Sequence, residues 1–300
     1  MPGKIISIIS NKGGVGKTLF AIETANILGA LGNDVLLIDT DINTGDVAIK
    51  LDLRLDSTLL DFFERSESDL SNLIIEKFNF DLIPGSGGNF KFANLNYFQK
   101  MKFIKAFKEI SQDYDYTILD LGAGIERTTL DFGLAADYPI IITTPEDIQS
   151  GYGCAKAAAV RLQELNEKLL QKDPAMIIRE RFEPKFVFNK STTQLAENIF
   201  NGIKRATEIT RQRENIAIYP DLIGAVPEEY RLVSKAYLRQ HTPISELFPG
   251  SRISQAYRSI ALNITRHDDE NQLDKKTTPL EKIIKLFRYE QEKSSLVETA

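Results

Sequence analysis

Seven short apolar runs recur along the chain, separated by stretches with helical spacing. They are Lys4–Ser10, Val35–Asp39, Phe80–Pro84, Tyr116–Leu121, Tyr138–Thr143, Lys185–Asn189 and Leu222–Val226. Most are apolar on consecutive rather than alternate positions, which marks strands covered on both faces. Helical patterns lie between them, at Lys17–Leu31, Tyr97–Gln112, Ser150–Leu170 and Gln194–Gln212. This alternation predicts a doubly wound α/β fold with a mainly parallel sheet and helices on each face.

The pattern breaks after Arg266. His267–Pro279, HDDENQLDKKTTP, is polar, charged and ends in proline, so it reads as a linker. A last patterned segment follows, with Leu280, Ile283, Ile284 and Phe287 at i, i+3, i+4 and i+7, one face of a helix. Lys282, Lys285 and Arg288 lie off that face. The expected plan is a nucleotide-sized domain over 1–266, a linker over 267–279, an amphipathic tail helix over 280–289 and disorder over 290–300.

Composition narrows the function. The net charge is −5, which argues against bulk attraction to nucleic acid. One cysteine, Cys154, excludes an intramolecular disulfide, and with only two histidines it leaves no set of zinc ligands. No leader and no long apolar run is evident, so the expected location is cytoplasmic.

The chemistry gathers at the end of the first run. Asn11-Lys12-Gly13-Gly14-Val15-Gly16-Lys17-Thr18 places a glycine-rich turn between a strand and a helix. Such a turn cradles phosphates with backbone N–H groups at a helix N-terminus. Gly13, Gly14, Val15 and Gly16 form the cradle. Lys17 is placed to reach the β- and γ-phosphates of ATP, and Thr18 to bind Mg²⁺. Asp39 and Asp41 end the second run two residues apart, so both point to one side of a strand. Asp120 ends the fourth. Carboxylates at these strand ends suit Mg²⁺ coordination and orientation of an attacking water.

The second lysine sets this loop apart, since one suffices for a phosphate cradle. KGGVGKT (Lys12–Thr18) resembles the deviant Walker A motif of the MinD/ParA family of ATPases. The resemblance covers about residues 3–266. It implies that Lys12 crosses a dimer interface to phosphates held by the other subunit. It further implies that Asp41 positions water, that Asp39 and Asp120 serve the Mg²⁺ shell, and that Leu121–Ile125 is a nucleotide-sensing switch. Asn189, Pro227 and Glu228 would line the adenine pocket. LIPGSGG (Leu82–Gly88), DLGAGI (Asp120–Ile125) and TTPE (Thr143–Glu146) lean toward the MinD and FlhG branches. Those branches carry an Asn-x-Asp pair where this chain has Asp46 and Ala48, and an aspartate where it has Tyr152.

The expected activity is that of a Mg²⁺-dependent ATPase that forms a homodimer on binding ATP, meets a protein activator and positions a cellular structure. Its expected surface is an anionic membrane, contacted through Leu280–Arg288 in the ATP state. One alternative is a nucleoid-bound positioner using Lys204, Arg205, Arg211 and Arg213. Another is a metabolic synthetase on the same scaffold, for which no substrate pocket residues stand out.

Overall fold

The computed structural model describes residues 3–40, 46–64, 69–85, 95–270 and 277–298. Among them, eight strands form one sheet. In chain order they are β1 (Lys4–Ile9), β2 (Val35–Asp39), β3 (Ile75–Lys77), β4 (Phe80–Ile83), β5 (Tyr116–Asp120), β6 (Tyr138–Thr143), β7 (Lys185–Asn189) and β8 (Asp221–Val226). Their spatial order is β3-β4-β2-β5-β1-β6-β7-β8, parallel throughout except for the β3–β4 edge pair. All seven expected runs are strands. The unexpected one, β3, is three residues, IEK, too short and too polar to signal itself.

Consecutive apolar positions divide between two cores. Ile5 and Ile9 of β1 and Leu36 and Ile38 of β2 face one side. Ile6, Ile8, Val35 and Leu37 face the other. Helix α1 (Lys17–Ala30) covers the second side, while α2 (Asp46–Lys50) and α3 (Leu59–Glu64) follow β2. On the first side lie α4 (Tyr97–Ile110), α5 (Arg127–Ala135), α6 (Ile148–Leu170) and α7 (Thr193–Glu214). After β8 come α8 (Tyr230–Lys235), a π-helical turn (Ala236–Gln240), α9 (Ile244–Leu247) and α10 (Arg252–Glu270). α10 buries Ile253, Tyr257, Ile260 and Ile264 beside α1.

The C-terminal region departs from expectation in three ways. α10 runs to Glu270, so the first residues of the expected linker are helical. The last helix, α11 (Pro279–Glu298), continues well past 289, where disorder was expected. Its apolar stripe is not open for a membrane: Leu280, Ile283, Ile284 and Phe287, with Leu286, are buried against α4, α5 and α6. A core surface on the same chain is present at high effective concentration, so it takes up the stripe. Each such side chain contributes roughly 1.5–3 kcal/mol when fully buried.

Polar contacts fix the docked tail. Thr278 and Glu281 form a reciprocal capping box around Pro279, with N–H···O distances of 3.3 and 3.2 Å. Glu281 also pairs with Lys108 of α4 at 3.0 Å. Lys100 of α4 bonds buried Asp131 of α5, and its ammonium sits 4.2 Å from the centre of the Phe287 ring.

Candidate nucleotide site

The parallel strands all point their carboxyl ends at one edge of the sheet. Strand order reverses around β1, between β5 and β6, and a crevice opens there in doubly wound folds. The phosphate loop leaves β1 at that point. Gly14 and Gly16 take positive φ, +75° and +98°, which an L side chain resists. At Gly16 a Cβ would also meet the Asn189 amide nitrogen at 2.2 Å. At Gly13 and Gly14 a Cβ would meet nothing within 4 Å, so the cradle is open for a ligand.

Two features fit that cradle to a phosphate. Gly16 caps α1 with no side-chain hydrogen bond, and the first turn holds no acid. The helix end thus offers N–H groups and positive dipole to an anion. Lys17 is 8% exposed, and among the described residues no carboxylate pairs with it. A buried ammonium is costly without an anion, which phosphates would supply. Thr18 follows, half-buried.

The carboxylates assemble beside it. Asp39 and Asp120 are register partners on adjacent strands, and both are buried. Asp39 accepts a hydrogen bond from the Val47 N–H at 3.3 Å, tying β2 to the start of α2. Thr40 donates both its N–H and its hydroxyl to the Asp120 carbonyl, at 3.1 and 2.8 Å. The Gly124 N–H bonds the Ser10 carbonyl at 3.0 Å, joining the loop after β5 to the phosphate loop. Asp41 lies outside the described residues. Asp46 and Ala48, the departures from the branch pattern, both fall in α2.

The two lysines separate. Lys17 is buried at the helix start, whereas the Lys12 side chain is 58% exposed at the lip. Lys12 forms an ion pair with Asp147, at the turn before α6. The Thr144 hydroxyl donates to the other Asp147 oxygen at 3.0 Å. The Lys12 ammonium holds the Asp147 carboxyl below its usual range, and Lys190 adds to the effect. A cavity of about 460 Å³ opens here, with Lys12, Gly13, Asp147, Lys190 and Glu228 among its lining. The TTPE stretch (Thr143–Glu146) ends one residue before Asp147. The signal was an acid directly following a strand-end turn opposite a lysine-bearing loop.

Asn189, expected at the adenine pocket, reaches the phosphate loop. Its amide donates to the Val15 carbonyl at 2.8 Å and its oxygen accepts the Lys190 N–H at 3.0 Å. It braces the phosphate loop, and one N–H and one lone pair of its amide remain beyond these bonds. Pro227 is half-buried and Glu228 exposed at the same rim. On α7, Arg211 is engaged with Glu208 and lies over the Tyr219 ring at 4.5 Å, while Lys204 lies over Phe200 at 5.0 Å. Tyr152 hydrogen-bonds Thr210 across α6 and α7.

Residues 3–173, more than half of the chain, match the family model described as AAA domain. The chain belongs to that family. It is 27% identical over 266 residues to the antiactivator FleN of Pseudomonas aeruginosa, covering 88% of this chain and 86% of that protein. It is 29% identical over 269 residues to the septum site-determining protein MinD of Bacillus subtilis, covering 87% and 89%. The fold matches that of the septum site-determining protein MinD of Pyrococcus horikoshii, solved with Mg-ADP. The TM-score is 0.61 at 20% identity, covering 91% of this chain and all of the other (100%). The chain is therefore a P-loop ATPase of that family, with the fold of MinD. Bound Mg-ATP supplies a cleavable γ-phosphate and a metal to offset its charge.

Proposed function

We propose that this ATPase is a dimerising switch that positions or regulates a cellular structure, of the division-site or flagellar kind. Lys17 and the N–H groups of Gly13–Gly16 hold the β- and γ-phosphates. Thr18, Asp39 and Asp120 serve the Mg²⁺ shell, and Asp41 orients the attacking water. Lys12 acts on the partner subunit. Two ATP molecules between two subunits bring negative charges face to face, and one cation from each side offsets them.

The observation that carries this reading is the division of labour between the lysines. Lys17 is buried without an acid, while Lys12 is exposed and held by Asp147 in its own chain. A lysine meant for the same cradle would not need that acid. Release from Asp147 then accompanies transfer to the partner's phosphates. The ATP-bound dimer contacts an anionic membrane peripherally, through the region of 280–288, and a protein activator.

Co-sedimentation with anionic vesicles and, separately, with plasmid DNA tests the reading, each with ATP or ADP. Stronger vesicle pelleting with ATP supports it. Retention on DNA without vesicle binding overturns the membrane part in favour of a nucleoid surface.

A further inference from the structure

The helix after β8 presents one uncovered face among the described residues. α8 runs straight into the π-helical turn, and across the two Arg231, Lys235 and Arg239 recur every fourth residue. That spacing puts them on one side, about 6 Å apart. The opposite side is covered: Leu232 and Val233 pack on the core, Ala236 and Tyr237 are buried, and Tyr237 donates to Glu23 of α1. All three cations are exposed, and among the described residues none has an ion-pair partner. The stretch Tyr230–Gln240 contains no acid. The acids beside it are engaged: Glu229 accepts from Arg252 at 3.2 Å, and Glu246 accepts from Asn26 and Asn79 at 3.1 and 2.6 Å. Leu238 stands among the cations and is 68% exposed. α2 adjoins this face through His241, which hydrogen-bonds the Lys50 carbonyl at 3.2 Å, and there Ile49 is 66% exposed.

We infer that this face of α8 and the π-helical turn docks an acidic amphipathic helix of a partner protein. The inference stands apart from the membrane contact and the dimer proposed above. Charge and spacing fit together. A helix with Glu or Asp at i, i+4 and i+8 repeats the same interval of about 6 Å, so it meets Arg231, Lys235 and Arg239 at once. Apolar side chains next to those acids cover Leu238 and Ile49. A phosphate backbone would meet the cations but leave Leu238 bare, which favours a protein over a nucleic acid. Each exposed ion pair is worth up to about fivefold in affinity, and complete burial of a leucine about tenfold or more. Ordering of the partner opposes both. The sum suits reversible docking that salt weakens.

The experiment uses the full chain and fluorescence anisotropy with three probes. The first is a synthetic helical peptide with Glu at i, i+4 and i+8 and Leu beside each. The second carries Gln in place of each Glu, and the third is a short DNA duplex. Wild type is compared with Arg231→Gln/Lys235→Gln/Arg239→Gln and with Leu238→Ala. The control is Lys204→Gln/Arg205→Gln/Arg213→Gln, which removes equal charge from exposed positions of α7. Thermal melts check that each protein is folded, and Leu238→Ala keeps its full charge should the triple variant melt early. A benzophenone at the centre of the acidic peptide locates its site by photo-crosslinking.

Wild type should bind the acidic peptide about tenfold or more tighter than its Gln counterpart, and raised salt should weaken it. The triple α8 variant should lose about tenfold, Leu238→Ala about fivefold, and the α7 control no more than about twofold. The crosslink should fall within residues 230–240. Equal binding of the two peptides, or binding of neither, overturns the inference. Wild-type affinity in the triple α8 variant overturns it too. So does an equal loss in the α7 control, which would reduce the effect to net charge. DNA bound more tightly than the acidic peptide, and released by the triple α8 variant, assigns the face to nucleic acid instead.

Discussion

The phosphate loop and the tail helix are both short, cation-bearing segments, yet the chain determines them differently. The loop is dictated by its own backbone. Gly14 and Gly16 sit where only glycine is unstrained, and the Cβ clash at Gly16 fixes its distance from Asn189. The tail is dictated by what it meets. Its stripe of Leu280, Ile283, Ile284 and Phe287 would suit a bilayer, a partner or its own domain, and it covers its own domain. A motif with a backbone requirement carries its structure with it. An amphipathic face states only that it will be covered.

Substitution sharpens this contrast. The largest effect on nucleotide binding belongs to Lys17→Ala, since hydrogen bonds to charged groups contribute about 1.5–3 kcal/mol each. Nucleotide affinity should fall by about 100-fold or more in calorimetric titration. Next comes Phe287→Ala, which removes a buried ring that also covers Lys100. It should lower unfolding stability by about 3–5 kcal/mol in urea. A tail that merely awaits a membrane would show no such loss. Gly16→Ala should cost roughly 1–3 kcal/mol of loop strain and weaken nucleotide binding. Gly13→Ala, with open space at its Cβ, should leave unfolding stability within about 0.5 kcal/mol of wild type.

A buried acid of α1 gives a test by pH. Glu23 is fully buried, accepts bonds from Tyr237, Ile244 and Ser245, and has its carboxyl raised above 4.5, chiefly by burial. The unfolded chain gives up that proton at lower pH than the folded one. Stability therefore falls as pH rises from about 4.5 through the raised value. Glu23→Gln should flatten that slope, at a cost of about 1–3 kcal/mol from one N–H left without its acceptor. Thermal melts across pH 4–8 would read both changes.

The same contrast sorts what was legible in the sequence. Seven apolar runs became the strands around the site, because residues covered on both faces leave a local trace. Lys17, Thr18, Asp39 and Asp120 stand together at the carboxyl edge, as strand ends in a parallel sheet require. Asp147 was missed because its meaning depends on Lys12, 135 residues away. Asn189 ends its strand as the run implied, while its bond to the Val15 carbonyl leaves no local trace, since a side-chain amide serves backbone or ligand equally well. α10 was not singled out although Ile253, Tyr257, Ile260 and Ile264 recur on one face. Thr278-Pro279-Leu280-Glu281 held a capping box that announces the start of α11, but a proline after a charged stretch reads first as a break.

The claim that organises all of this is that Lys12 and Lys17 do different work. Sedimentation velocity with a non-hydrolysable ATP analogue, comparing wild type with Lys12→Ala, tests it most directly. Nucleotide binding is measured on the same samples. The account predicts that wild type forms a dimer, and that Lys12→Ala binds the analogue within about fivefold of wild type yet stays monomeric. Loss of nucleotide binding in Lys12→Ala to the degree seen in Lys17→Ala would contradict it, as would a Lys12→Ala dimer as stable as wild type.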